Sequence, residues 1–240
     1  MGPANVAGAN TAVIPEIPRN EDMKTMIMMV ATAAVAGSAN AAIVTQWNFE
    51  AQTLNASTGT GTASLVGGTT STFATGFGGS GTSALNVTNF AAQSTGDRTR
   101  GAQFSGSTAG FENITIDWNE RHSNTAANTV AVFATADGTT WNEVQVFTFT
   151  PAASGTGDAW YARSVTLGSE YANAASFGFR VLAAFAPGTS GYLASRSTSQ
   201  YGTSSTLRFD DVTINGTAIP APGAIALLGA AGLVGTRRRR

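Results

Sequence analysis

The chain of 240 residues has no cysteine, a single lysine, Lys24, and a single histidine, His122. Without thiols there can be no disulfide framework, no thiol nucleophile and no thiolate zinc site. One imidazole also leaves zinc short of ligands. Charge is scarce, at 11% of residues. Between Ala42 and Ile219, seven arginines (98, 100, 121, 163, 180, 196 and 208) stand against eleven carboxylates, a balance of about −4. No basic patch forms in that span, which argues against a nucleic-acid partner. No fixed-period repeat is present, so a solenoid or propeller is not expected.

What remains is rich in Gly, Ala, Ser and Thr, with short segments of strict alternation. Trp47 and Phe49 alternate with polar neighbours over Ile43–Glu50. Ile114, Ile116 and Trp118 share one face of Phe111–Asn119. Similar runs cover Ala84–Phe90, Ala102–Phe104, Thr129–Thr135, Trp141–Phe149, Trp160–Leu167, Ser176–Ala184 and Thr206–Asn215, with weaker ones at Ala63–Val66 and Phe73–Phe77. Period-2 alternation marks half-buried strands. Leu207 and Phe209 fall out of phase with Val212 and Ile214 across Asp210-Asp211, as a β-bulge would cause. Glu120–Asn128 reads as a polar loop. Nine to eleven short strands, with Gly, Ser, Thr and Asn turns between them, predict an all-β, jelly-roll-like β-sandwich over residues 42–219.

The two ends differ from the middle. Residues 1–22 lack periodicity and read as a disordered or over-extended start. Met23 and Lys24 then open a short apolar run that ends in Ala39-Asn40-Ala41. A basic start, an apolar stretch and small residues at Ala39 and Ala41 make residues 23–41 a secretory signal peptide, cut after Ala41. At the other end, Pro220-Ala221-Pro222 precedes a small-apolar run and the cluster Arg237, Arg238, Arg239, Arg240. About a dozen apolar residues fall short of the ~20 of a comfortable span, and terminal arginines stay on the cytoplasmic side.

Residues 220–240 resemble the PEP-CTERM sorting signal of bacterial surface and exopolysaccharide-associated proteins, with Ala221 in place of the usual Glu. The resemblance implies a short C-terminal hydrophobic helix and transient anchoring in the membrane. It also implies processing by an exosortase-like enzyme and delivery to the cell envelope surface or outside it.

Candidate sites within the sandwich are few. Glu50 lies near the first strand and Asp210-Asp211 in the last, and these strands are often neighbours in a jelly roll. Their carboxylates could share calcium, a hard cation that takes several oxygens, and many carbohydrate-binding jelly rolls resemble this arrangement. The alternative is a solvated acidic edge. Trp160, Tyr161, Tyr192 and Tyr201 sit in or beside loops, where flat rings could stack on a polysaccharide. Trp47, Trp118 and Trp141 fall on strand faces and read as core. Thr135–Trp141 resembles the S-x-D-G-x-x-W turn of galactose-binding-like jelly rolls, a mark of fold. No catalytic residues are expected: His122 has no nucleophile elbow near it, and no carboxylate pair is specified for glycoside hydrolysis. The expectation is an exported structural or adhesive sandwich, with a carbohydrate-binding module as the alternative and a secreted hydrolase behind both.

Overall fold

A computed structural model describes residues 41–150 and 159–220. The expected signal peptide and C-terminal helix lie outside these residues, as do Ala39, Ala221, Pro222 and the four terminal arginines. Eleven strands run in order: β1 (Ala42–Trp47), β2 (Thr62–Val66), β3 (Thr70–Gly76), β4 (Gly79–Thr88), β5 (Gly101–Gly106), β6 (Phe111–His122), β7 (Thr129–Thr135), β8 (Asn142–Thr148), β9 (Trp160–Thr166), β10 (Phe177–Ala183) and β11 (Leu207–Ala218). The only other regular element among the described residues is a 3₁₀ turn at Ser169–Tyr171.

The strands form two antiparallel sheets. One runs β3-β4-β11-β6-β9, with β1 also paired to β11; the other runs β2-β5-β10-β7-β8. Only β3–β4 and β7–β8 are successive strands within one sheet. Every other connection crosses to the opposite sheet, which makes the pair a sandwich. β11 is its central member. It pairs with β6 along its length, with β4 over Leu207–Phe209 and with β1 over Val212–Gly216. The change of neighbour falls at the expected bulge. Register shifts between Asp210 and Thr213, and Asp211 takes a left-handed φ of 47°.

Alternation then builds the core. Trp47, Ile116, Trp118, Phe209 and Ile214 point inward from the first sheet, and Phe104, Phe179, Val181 and Val132 from the second. Phe104 sits at the centre, stacked on Phe179 at 4.9 Å and edge-on to Trp47 and Phe209 at 5.5 and 5.9 Å. Each ring removes some 150–250 Å² from water, which makes this cluster the main source of cohesion in a chain without cross-links.

Two expectations need correction. β6 continues to His122, so Glu120 and His122 extend the inward row of Ile114, Ile116 and Trp118 instead of lying in a loop. In β8, simple alternation over Trp141–Phe149 would put Val144 and Phe147 on opposite faces, but a bulge faces Val132/Phe133. That bulge lets both side chains pack on the core.

Candidate functional site

A groove with a polar floor lies on the outer face of the five-stranded sheet. Because Phe104 and Phe179 point inward, their neighbours Gln103, Ser105, Gly178 and Arg180 must point outward. The β7–β8 turn supplies one wall. Thr135 Oγ1 accepts the Gly138 N–H at 3.0 Å, and Asp137 Oδ1 accepts the N–H groups of Thr139 and Thr140, each at 2.7 Å. Those backbone donors, with the Thr135 hydroxyl, hold the Asp137 carboxyl far below the usual carboxylate range. Gly138, at φ 79°, makes the turn. Trp141, which follows, is carried onto the sheet instead of into the core.

Gly178 makes room for the indole. A Cβ there would meet Trp141 Cη2 at 3.3 Å and the Phe104 carbonyl at 3.2 Å. The Arg180 guanidinium lies 3.7 Å from the Trp141 ring centroid, a cation–π contact. Arg180 Nε donates to Gln103 Oε1 at 2.8 Å, and Gln103 Nε2 donates to Ser105 Oγ at 2.9 Å. The Asn55–Thr62 segment forms the opposite wall. The groove encloses about 710 Å³, and none of its lining residues is acidic or basic. It therefore offers an aromatic wall, amide and hydroxyl groups, and no pair of carboxylates for glycoside hydrolysis.

The ligand-binding residues expected from sequence are not brought together. Trp160 lies half-buried on the outer face of the other sheet, edge-on at 5.9 Å to Phe77, which is 52% exposed. Tyr161 points the opposite way, stacked on Phe149 at 4.6 Å. Tyr192 is buried, its hydroxyl donating to the carbonyls of Thr95 and Gly96. It stacks on Tyr201 at 4.3 Å, whose hydroxyl donates to the Ala91 carbonyl. Burial pushes the Tyr192 phenol up to about 12 and raises that of Tyr201 as well. This pair clamps the 89–100 segment and has no free platform.

The charges of Glu50 and Asp211 both act on Asp210. Burial, followed by the charges of Asp211 and Glu50, raises the Asp210 carboxyl to about 6, against the pull of two peptide donors. Those donors are Phe77 N–H, at 2.7 Å from Oδ2, and Asp211 N–H, at 2.8 Å from Oδ1. Asp211 accepts from the Asn119 amide at 3.3 Å. Among the described residues no three acidic or imidazole groups are placed to hold a metal ion. A calcium site needs oxygens turned toward a common point, and both Asp210 oxygens are instead turned to backbone N–H groups. The donor set does not fit the expected calcium.

No protein-family model matches the chain, and no curated protein matches it either. Three solved structures illustrate what it is similar to in shape. The first is the CBM22-1–GH10 portion of a Clostridium thermocellum endo-1,4-β-D-xylanase in complex with xylohexaose: 15% identical, TM-score 0.46, covering 75% of this chain and 29% of that one. The second is the K3 adhesin domain of Lys-gingipain from Porphyromonas gingivalis: 17% identical, TM-score 0.43, covering 72% and 98%. The third is the CBM22-1 xylan-binding domain of Paenibacillus barcinonensis Xyn10C: 12% identical, TM-score 0.42, covering 78% and 100%. This chain spans under a third of the first of these. All three are too remote to assign a ligand to it.

A second polar cluster lies inside the sandwich. Glu120 and His122 are fully buried and bonded to each other through Oε1 and Nε2. Trp118 Nε1 donates to Glu120 Oε2 at 3.0 Å, and Arg163 Nη2 lies 3.7 Å from Oε1. His122 Nδ1 reaches the Ala127 carbonyl at 2.7 Å. Burial alone would push the Glu120 carboxyl up, but His122, Arg163 and Trp118 outweigh it and hold it below its ordinary value. Phe147, Phe149 and Tyr161 close over the cluster. Enclosed in this way, it acts as a structural pin.

Of the groove residues, Trp141 was visible in the sequence but read as core. Gln103 and Ser105, and Arg180 beside the groove, give no signal beyond their polar places in alternating strands.

Proposed function

We propose that this chain is an exported, non-catalytic carbohydrate-binding sandwich of the cell surface or extracellular matrix, and that the outer groove of its five-stranded sheet is the binding site. One observation carries the reading: an indole laid over Gly178 forms one wall of a 710 Å³ groove whose other lining residues are uncharged, with amides, hydroxyls, backbone and the small side chains of Ala56 and Ala175. Sugars present apolar C–H faces and a rim of hydroxyls, so an aromatic wall beside neutral donors and acceptors matches both parts of a pyranose. The absence of lining carboxylates suits a neutral polysaccharide. Delivery would follow from residues 23–41 and 220–240: a signal peptide starts export, and the PEP-CTERM-like tail holds the chain in the membrane until an exosortase-like enzyme releases it.

A purely structural or adhesive role is the second reading. It is favoured by the Arg180 guanidinium already stacked on Trp141, which leaves that ring less surface for a sugar.

Two experiments test these readings. On an array of neutral glycans, the full chain should bind at least one polymer. Trp141→Ala should abolish that binding and Trp160→Ala should leave it. Binding lost with Trp160→Ala but kept with Trp141→Ala would place the site on the other sheet. No binding on any glycan would leave the structural reading. For delivery, the mass of the protein recovered from the envelope should lack Arg237–Arg240; intact arginines would overturn the processing step.

A further inference from the structure

From Ala51 to Gly96 the chain contains no Asp, Glu, Lys, Arg, His or Pro. This segment supplies β2, β3 and β4. The topology puts β2 at the edge of the five-stranded sheet and β3 at the edge of the six-stranded one. Only Gly67-Gly68-Thr69 separates them, so both edges lie on one flank of the sandwich. None of the side chains of β2, β3 or β4 is charged, and the guanidinium that reaches β3 is that of Arg208, at 3.2 Å from the Thr75 carbonyl.

Exposed sheet edges offer unpaired N–H and C=O groups to any other strand. Proteins protect them with lysine, proline, bulges, inward charges or a covering loop. The other four edges carry such devices: β1 has a bulge at Ile43/Thr45 and a bridge from Gln46 to Thr58. β8 has Glu143, bonded to Arg98 at 2.7 Å, and β9 has Arg163. β2 is partly covered: Ala63 N–H donates to the Leu54 carbonyl at 2.7 Å, and Asn55 bridges Thr62. Along Thr70–Ala74, β3 has no such device. Among the described residues it pairs with β4 alone, and its one irregularity falls at the Thr75/Gly76 end. Phe73, at its midpoint, packs on Phe49 with ring centroids 6.3 Å apart, yet it stays only half-buried because no strand lies beyond it.

We propose that β3 is a self-association edge. Two copies of this chain pair their β3 strands antiparallel about a twofold axis centred on Phe73, which joins two six-stranded sheets into one. A second copy is the occupant because the edge is complementary to itself. In this register Phe73 meets its own symmetry mate, Thr72 faces Ala74 of the second copy, and Ser71 faces Thr75. Aromatic pairs and hydroxyl pairs are favourable cross-strand partners, and like charges directly opposed, the usual obstacle to isologous pairing, are missing. The pairing also covers the exposed part of Phe73.

Sedimentation velocity on the full chain, over about a hundredfold range of concentration, tests this. A reversible monomer–dimer equilibrium is expected. Thr72→Lys, at an exposed edge position, should weaken it by on the order of tenfold or more. Thr166→Lys, the same change on the opposite edge strand, should leave it intact, and thermal melting would show both variants folded. As an independent readout, Thr72→Cys would be the only thiol in the chain. Spin labels attached there should lie within about 20 Å of each other across the dimer, as the strand spacing requires. A strictly monomeric chain, an equilibrium that Thr72→Lys does not shift, or label separations far beyond that distance would each overturn the proposal. None of these outcomes depends on glycan binding.

Discussion

Phe77 donates its peptide N–H to Asp210 Oδ2 at 2.7 Å across 133 residues of sequence. The bond ties the tip of the β3–β4 hairpin to the bulge in β11, where β4 gives way to β1. The tip therefore lies over the outer face of the sheet, and Phe77 reaches Trp160 on β9.

The tie should respond to pH. The Asp210 carboxyl is raised to about 6 in the folded chain from 3.8 for an ordinary Asp, chiefly by burial. The folded chain thus holds this proton more tightly than the unfolded one. Its contribution to stability is fully present below about 3.8 and is lost as pH rises through 6. Urea unfolding should show stability falling from pH 5 to pH 7 by about 1 kcal/mol from this group. Asp210→Asn should remove most of that slope; a slope unchanged in the variant would assign it elsewhere.

Glu120 should work in the opposite direction. Its carboxyl is held below the ordinary 4.5, so its contribution is present above that value and is lost as pH falls through the lower folded value. Acid unfolding should therefore shift to higher pH in Glu120→Ala. Stability at pH 7 should drop by about 3–5 kcal/mol, since Arg163 and His122 would be left inside without their carboxylate. A loss below 1 kcal/mol would mean that water reaches the cluster.

Gly178→Ala tests the seat of Trp141. The added methyl would press on the indole and on the Phe104 carbonyl. A cost of about 1–3 kcal/mol is expected, with a shift in tryptophan emission and weaker glycan binding. Unchanged emission would show that the ring does not rest there.

Calcium should not matter. With both Asp210 oxygens engaged by peptide N–H groups, the melting temperature in EDTA and in millimolar calcium should agree within about 1 °C. A cation that bound only the folded form would raise it with concentration. A rise of several degrees would mean that the bulge rearranges around the ion.

Much of the fold could be read from alternation. Ile114, Ile116 and Trp118 announced β6, and the phase break at Asp210-Asp211 announced the bulge. Polarity misled at Glu120 and His122, because a pair that neutralises itself can be buried where either residue alone could not. Alternation also says nothing of which residues meet across a face. Gln103, Gly178, Arg180 and Trp141 come from three separate segments and become one site only through the β5-β10-β7 pairing. Trp141 was read as core because its face depends on the turn before it, and Tyr192 and Tyr201 were read as surface because loop position hides how a long loop folds back on itself.

β11 pairs with β1, β4 and β6, yet its residues are among the last in the domain to leave the ribosome. Until Leu207–Ala218 appear, the six-stranded sheet lacks its middle, and its longest-range pairings join chain ends some 170 residues apart. Such non-local closure is slow and late. A sandwich whose middle strand is made last cannot close its larger sheet until nearly the whole domain has been synthesised.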